Sequence, residues 1–102
     1  MDFEAALKLN PDSAGAHNNL ATVLFMQRRF DEAAQHYREA LRVTPDNPQI
    51  YVNLGDTLVR LGRTAEAVKC YQAALQLKPG DLKIEAKMQA PGAPANLSSP
   101  AN

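Results

Sequence analysis

The chain has no tryptophan, one cysteine and no net charge, since 11 Lys and Arg balance 11 Asp and Glu over 102 residues. A single cysteine cannot close an internal disulfide, which excludes the cross-braced scaffold of a small secreted protein. A zero balance with a pI near 6.7 lacks the basic footprint of a dedicated nucleic-acid binder. No run of 18 apolar residues is present, so no segment reads as a membrane span. The opening residues Met1, Asp2, Phe3 and Glu4 do not follow the pattern of a signal peptide. Strand formers are scarce as well. Val, Ile and Thr number 11 together and aromatics are 6% of the chain, which argues against an all-β fold. The default expectation is a cytoplasmic protein, or a piece of a larger one, without nucleic acid or membrane as partner.

What the chain does have is Ala (17) and Leu (12), both strong helix formers. It also repeats. Pro11, Pro45 and Pro79 are spaced by 34 and again by 34, and residues 14–47 laid over 48–81 without a gap share ten identities. Average composition gives roughly two by chance. The identities include Asn19/Asn53, Leu20/Leu54, Leu24/Leu58, Ala33/Ala67, Tyr37/Tyr71, Ala40/Ala74 and Leu41/Leu75. Phe3, Ala6, Leu7 and Pro11 fall into the same phase as Tyr37, Ala40, Leu41 and Pro45.

Each period predicts two helices. Ser13 and Asn47 suit N-cap positions, and Pro48 suits a first helical residue. The first helix carries Leu20, Val23 and Leu24, or Leu54, Leu58 and Leu61, at helical spacing. It ends near Arg28 in one copy and at Gly62, a helix stop, in the other. The second helix is expected to start on Asp31 or Thr64 as caps and to stop before Pro45 or Pro79. Small residues at Ala21/Gly55, Ala33/Ala67 and Ala40/Ala74 allow close helix approach, with Tyr37 and Tyr71 filling the space between pairs.

These residues resemble the tetratricopeptide repeat, a 34-residue helix–turn–helix unit. One copy supplies Tyr51, Leu54 and Gly55, then Ala67, Tyr71, Ala74 and Pro79; the other supplies His17, Leu20 and Ala21, then Ala33, Tyr37, Ala40 and Pro45. The departures are His17 for an aromatic, Arg28 for a glycine and Thr64 for the aromatic seen at Phe30. The resemblance implies an all-α solenoid, a right-handed superhelix of about 2.5 repeats. Residues 1–90 form the expected repeat domain. Within it, 1–13 hold the second helix of an incomplete repeat, 14–47 and 48–81 are repeats, and 82–90 are a helix capped by Asp81. Residues 91–102, rich in Pro, Ala and Ser, are an expected disordered tail or, alternatively, a docking peptide. Fewer than three periods make a marginal array, one that leans on a partner, a second copy or an N-terminal neighbour.

The resemblance further implies a concave face, lined by the first helix of each period, that binds a peptide or partner helix. Counting from Leu20 and Leu54, this groove takes Asn18, Asn19, Thr22 and Met26 from one copy and Gln49, Asn53, Asp56 and Arg60 from the other. Gly15, Phe25, Val52 and Val59 fall on the same face. An amide both donates and accepts, so Asn19 and Asn53 suit a peptide backbone of any sequence. That pattern resembles the asparagine ladder of O-GlcNAc transferase repeat domains; the alternative is that these amides pack adjacent helices. Thr22, Asp56, Gln49 and Arg60 would set side-chain preference. Chaperone-binding members hold a C-terminal carboxylate with a Lys and an Asn one turn apart. The matching places here are Asn18 and Thr22, or Val52 and Asp56, and Asp56 would repel a carboxylate.

No catalytic arrangement is legible. His17 and His36 lie on different helices, with packing expected for His17. Cys70 has no base nearby in sequence and reads as a small half-buried apolar residue. No metal ligand set, phosphate loop or cofactor motif is present. The leading expectation is therefore a non-enzymatic interaction module. The alternatives are a C-terminal repeat segment of a larger, glycosyltransferase-like enzyme, and self-assembly of two copies through the apolar face Phe3, Ala6 and Leu7. The charged residues Asp31, Glu32, Arg38, Glu39 and Arg42 read as a solvated helix face with i,i+3 and i,i+4 pairs.

Overall fold

The computed structural model describes residues 13–91. The incomplete repeat expected over 1–13, with its assembly face, and the tail over 91–102 lie outside them, apart from Ser13 and Pro91. Among the described residues five helices follow one another: α1 (Ala14–Met26), α2 (Phe30–Val43), α3 (Pro48–Arg60), α4 (Thr64–Leu77) and α5 (Leu82–Gln89). No strand occurs among the described residues.

The odd-numbered helices are all started by a side chain at the same phase of the repeat. Ser13 Oγ accepts from the Ala16 amide at 3.1 Å. Asn47 Oδ1 accepts from the Gln49 and Ile50 amides at 3.0 and 3.4 Å, with Pro48 opening the helix. Asp81 Oδ1 accepts from the Lys83 and Ile84 amides at 2.9 and 3.1 Å. Each cap satisfies donors that a helix start leaves without intrahelical partners. These amides, foremost that of Ile84, hold the Asp81 carboxyl below its ordinary range.

The even-numbered helices start differently from expectation. Asp31 and Thr64 are not caps: the helices begin at Phe30 and Thr64, the capping residues are Arg29 and Arg63, and neither makes a side-chain cap bond. The reason is the turn. After α1 the Arg28 and Arg29 amides donate back to Phe25 and Leu24 carbonyls at 2.9 and 2.8 Å. After α3 the Gly62 and Arg63 amides do the same to Val59 and Leu58 at 3.0 and 2.8 Å. This paired closure needs a left-handed residue, supplied by Arg28 (φ 65) and Gly62 (φ 78). It delivers the chain straight into the next helix, so no extended residue is left to act as a cap. Asp31 and Glu32 lie instead in the first turn of α2, where the helix dipole favours acidic groups.

Packing follows the small residues. Ala21, Ala33, Ala40, Ala67 and Ala74 are fully buried. Gly55 is required by contact: a Cβ there would stand 2.6 Å from Tyr71 Cε1. Tyr37 and Tyr71 are buried, with Leu58, Leu54, Ile50 and Ile84 in the same core. Leu54 is in that core, whereas its equivalent Leu20 packs against it half-buried. Neighbours in sequence are neighbours in space, α1 on α2, α2 on α3, α3 on α4 and α4 on α5. That chain of local contacts is a solenoid.

Candidate peptide groove

The first helices of successive periods, α1, α3 and α5, bring equivalent positions into register. Asn53 of α3 is the centre of an amide cluster. Its Nδ2 donates to Asn18 Oδ1 across to α1 at 3.3 Å. Its Oδ1 accepts from Gln49 Nε2 at 2.9 Å. Asn19, the equivalent of Asn53 in the preceding period, is exposed. Asn53 itself is half-buried, and its amide plane is fixed by these two bonds.

Thr22 and Asp56 occupy the next groove position in the two periods. Both meet a tyrosine of their own period's second helix. Thr22 Oγ1 lies 2.9 Å from the Tyr37 hydroxyl and also donates to the Asn18 carbonyl at 3.0 Å. Asp56 Oδ1 accepts from the Tyr71 hydroxyl at 2.6 Å. It also takes Lys87 Nζ at 3.1 Å, with Oδ2 at 3.3 Å. Burial, then the Asp56 carboxylate, pushes the Tyr71 phenol well above its ordinary range. Burial likewise raises Tyr37, opposed by its Thr22 bond. Asp56 is therefore not a bare charge facing the groove; Lys87 cancels the repulsion that it would exert on a carboxylate ligand. Lys87 stands one period after Asn53. That spacing was the available signal for its place in the groove.

Beyond Asp56 a cleft of about 620 Å³ runs between α3 and α5, with Pro48, Val52 and Ile84 as apolar lining and Lys78, Lys83 and Lys87 on it. Val52, counted with the groove, is at once buried in the core and part of this lining. Val59 is half-buried, Gly15 exposed. At the far end of the helices Met26 is 70% exposed, and the Arg60 guanidinium lies over the Phe25 ring.

The remaining candidates fall elsewhere. His17, buried as a packing residue, stacks on His36 with centroids 5.2 Å apart and Nδ1 atoms 3.0 Å apart. Sequence had separated them by helix without pairing them. Cys70 is half-buried, and that burial pushes its thiol up, away from nucleophile chemistry. Among the described residues no three His, Cys, Asp or Glu side chains gather as metal ligands would, and no helix is long and apolar enough to cross a membrane. The solvated face of α2 forms Arg42–Glu39 at 3.1 Å and Arg38–Glu66 at 3.7 Å across to α4.

A family model described as tetratricopeptide repeat matches residues 12–80. No curated protein matches the chain. With the paired helices, their small-residue contacts and that match together, the chain belongs to the tetratricopeptide repeat family. Domains of this family generally mediate protein–protein interaction and are typically non-catalytic scaffolds.

Proposed function

We propose that this chain is a non-catalytic interaction module that holds an extended peptide along α1 and α3 through the Asn18–Asn53–Gln49 amide cluster. One observation carries the proposal. Asn53 spends one N–H on Asn18 and one lone pair on Gln49, so one N–H and one lone pair remain. Those are the two valences that a peptide carbonyl and amide require. The amide is already oriented before a ligand arrives, which lowers the ordering cost of binding. Asn19, Thr22, Met26 and Arg60 lie along the same helices and supply contacts to ligand side chains. Asp56 acts through Lys87 rather than as a free carboxylate.

Selection of peptides from a displayed random library on the full chain, followed by calorimetric titration of a selected peptide, tests this. Asn53→Ala should weaken binding about tenfold, the worth of one well-oriented pair of hydrogen bonds, and Asn19→Ala should weaken it less. Unchanged affinity in the Asn19→Ala/Asn53→Ala double variant would remove the amides from the site.

A further inference from the structure

The turn between α1 and α2 carries a side chain where its backbone favours none. Arg28 has φ 65, and Gly62 makes the same turn one period later at φ 78 with equivalent amide bonds. The fold does not need Arg28 there; glycine takes this conformation without the Cβ conflict. Strain of this kind points to use.

The guanidinium of Arg28 lies over the Phe30 ring, 5.9 Å from its centroid. Phe30 meets Phe25 edge-on, centroids 5.1 Å apart at 72°. Arg60, from the end of α3, lies over Phe25 at 5.8 Å. The row Arg28–Phe30–Phe25–Arg60 thus runs from one period to the next. Both arginines are exposed, and neither has a carboxylate partner among the described residues, whereas the adjacent Arg29 is held by both oxygens of Glu32 at 2.8 and 2.7 Å. Stacking fixes a guanidinium plane and leaves its N–H edges open, and such an edge matches a carboxylate with two parallel bonds. Met26, beside Phe25 in the chain, is exposed.

We infer that this row is an interaction surface for an acidic peptide segment. Its carboxylates take the edges of Arg28 and Arg60, and an apolar side chain between them lies on Phe25 and Met26. Charge complementarity selects this occupant. A nucleic acid fits less well, because guanidinium groups already cover the rings on which bases would stack and the chain as a whole has no net charge. The surface shares Met26 and Arg60 with the groove but uses none of the amide cluster, so a variant of Asn53 tells the two apart.

The test is fluorescence anisotropy at low salt, with labelled peptides alternating glutamate and leucine and matched peptides carrying glutamine. The acidic peptide should bind saturably and the glutamine peptide about tenfold more weakly. Arg28→Gly with Arg60→Gln should weaken the acidic peptide about tenfold without lowering the melting temperature, since the first change restores the glycine of the other period. Asn53→Ala should leave that affinity unchanged. No binding by the wild-type chain, equal binding by the arginine double variant, or a loss on Asn53→Ala alone would overturn the inference. So would tighter binding of oligouridylate than of the acidic peptide through the same arginines.

Discussion

The two periods close the same junction with different chemistry. In the first, Thr22 and Tyr37 join hydroxyl to hydroxyl, uncharged, beside an alanine at position 21. In the second, Asp56 gathers the Tyr71 hydroxyl and the Lys87 ammonium beside a glycine at position 55. The backbone plan is common; the side chains are not. Where α3 follows α1, the amide cluster joins the two helices and leaves one N–H and one lone pair of Asn53 open. Where α5 follows α3, an ion pair takes that place and consumes its groups internally. The peptide contacts proposed above therefore fall on the α1–α3 half, while the cleft lies on the α3–α5 half.

The two periods differ most severely at Gly55. Gly55→Ala drives a methyl into Tyr71, which has no open side to retreat to, and should cost about 3 kcal/mol, the upper range for overpacking. Period one already carries Ala21 without conflict. A urea midpoint that does not move would show that Tyr71 can shift. A smaller contrast lies in the hydroxyls. Tyr71→Phe removes a bond to a charged group and should cost about 2 kcal/mol, against about 1 kcal/mol for Tyr37→Phe, a neutral pair. Equal losses in the two variants would erase the distinction between the junctions.

A third variant converts one junction into the other. Asp56→Thr with Lys87→Asn rebuilds the period-one chemistry in period two. Both replaced side chains are one-third exposed, so the net change should stay under about 1 kcal/mol. Melting should also become less salt-dependent than in the wild type; a double variant as salt-sensitive as the wild type would locate that sensitivity elsewhere. The smallest effect is alkaline. Both phenols titrate above their ordinary value in the folded state. Stability is fully present below the unfolded phenol pKa, about 10, and falls as pH rises beyond it. Tyr71→Phe should flatten that fall more than Tyr37→Phe, as read from melting temperatures between neutral and alkaline pH.

Much of the fold was legible because it is periodic. Prolines at 45 and 79, caps at 13, 47 and 81 and alanines facing alanines are local or repeat-register features, and they mark helix ends and close contacts without knowledge of the third dimension. The starts of α2 and α4 are not legible in this way because a tight left-handed turn, not a capping side chain, sets them. The site was less legible. Asn53 bonds a residue 35 positions back rather than 34, so the partner in space is one place off the partner in alignment. Asp56 finds Lys87 31 residues on, and His17 finds His36 across 19. Such meetings depend on how far helices are turned against one another, which composition and spacing do not encode.

The most direct test of the central claim is nitrogen–proton NMR of the labelled chain titrated with a selected peptide. The side-chain amide signals of Asn53, Gln49 and Asn18 should move together and saturate with the backbone signals of α1 and α3. Shifts confined to α2 and α4, with those side-chain amides unmoved, would contradict it.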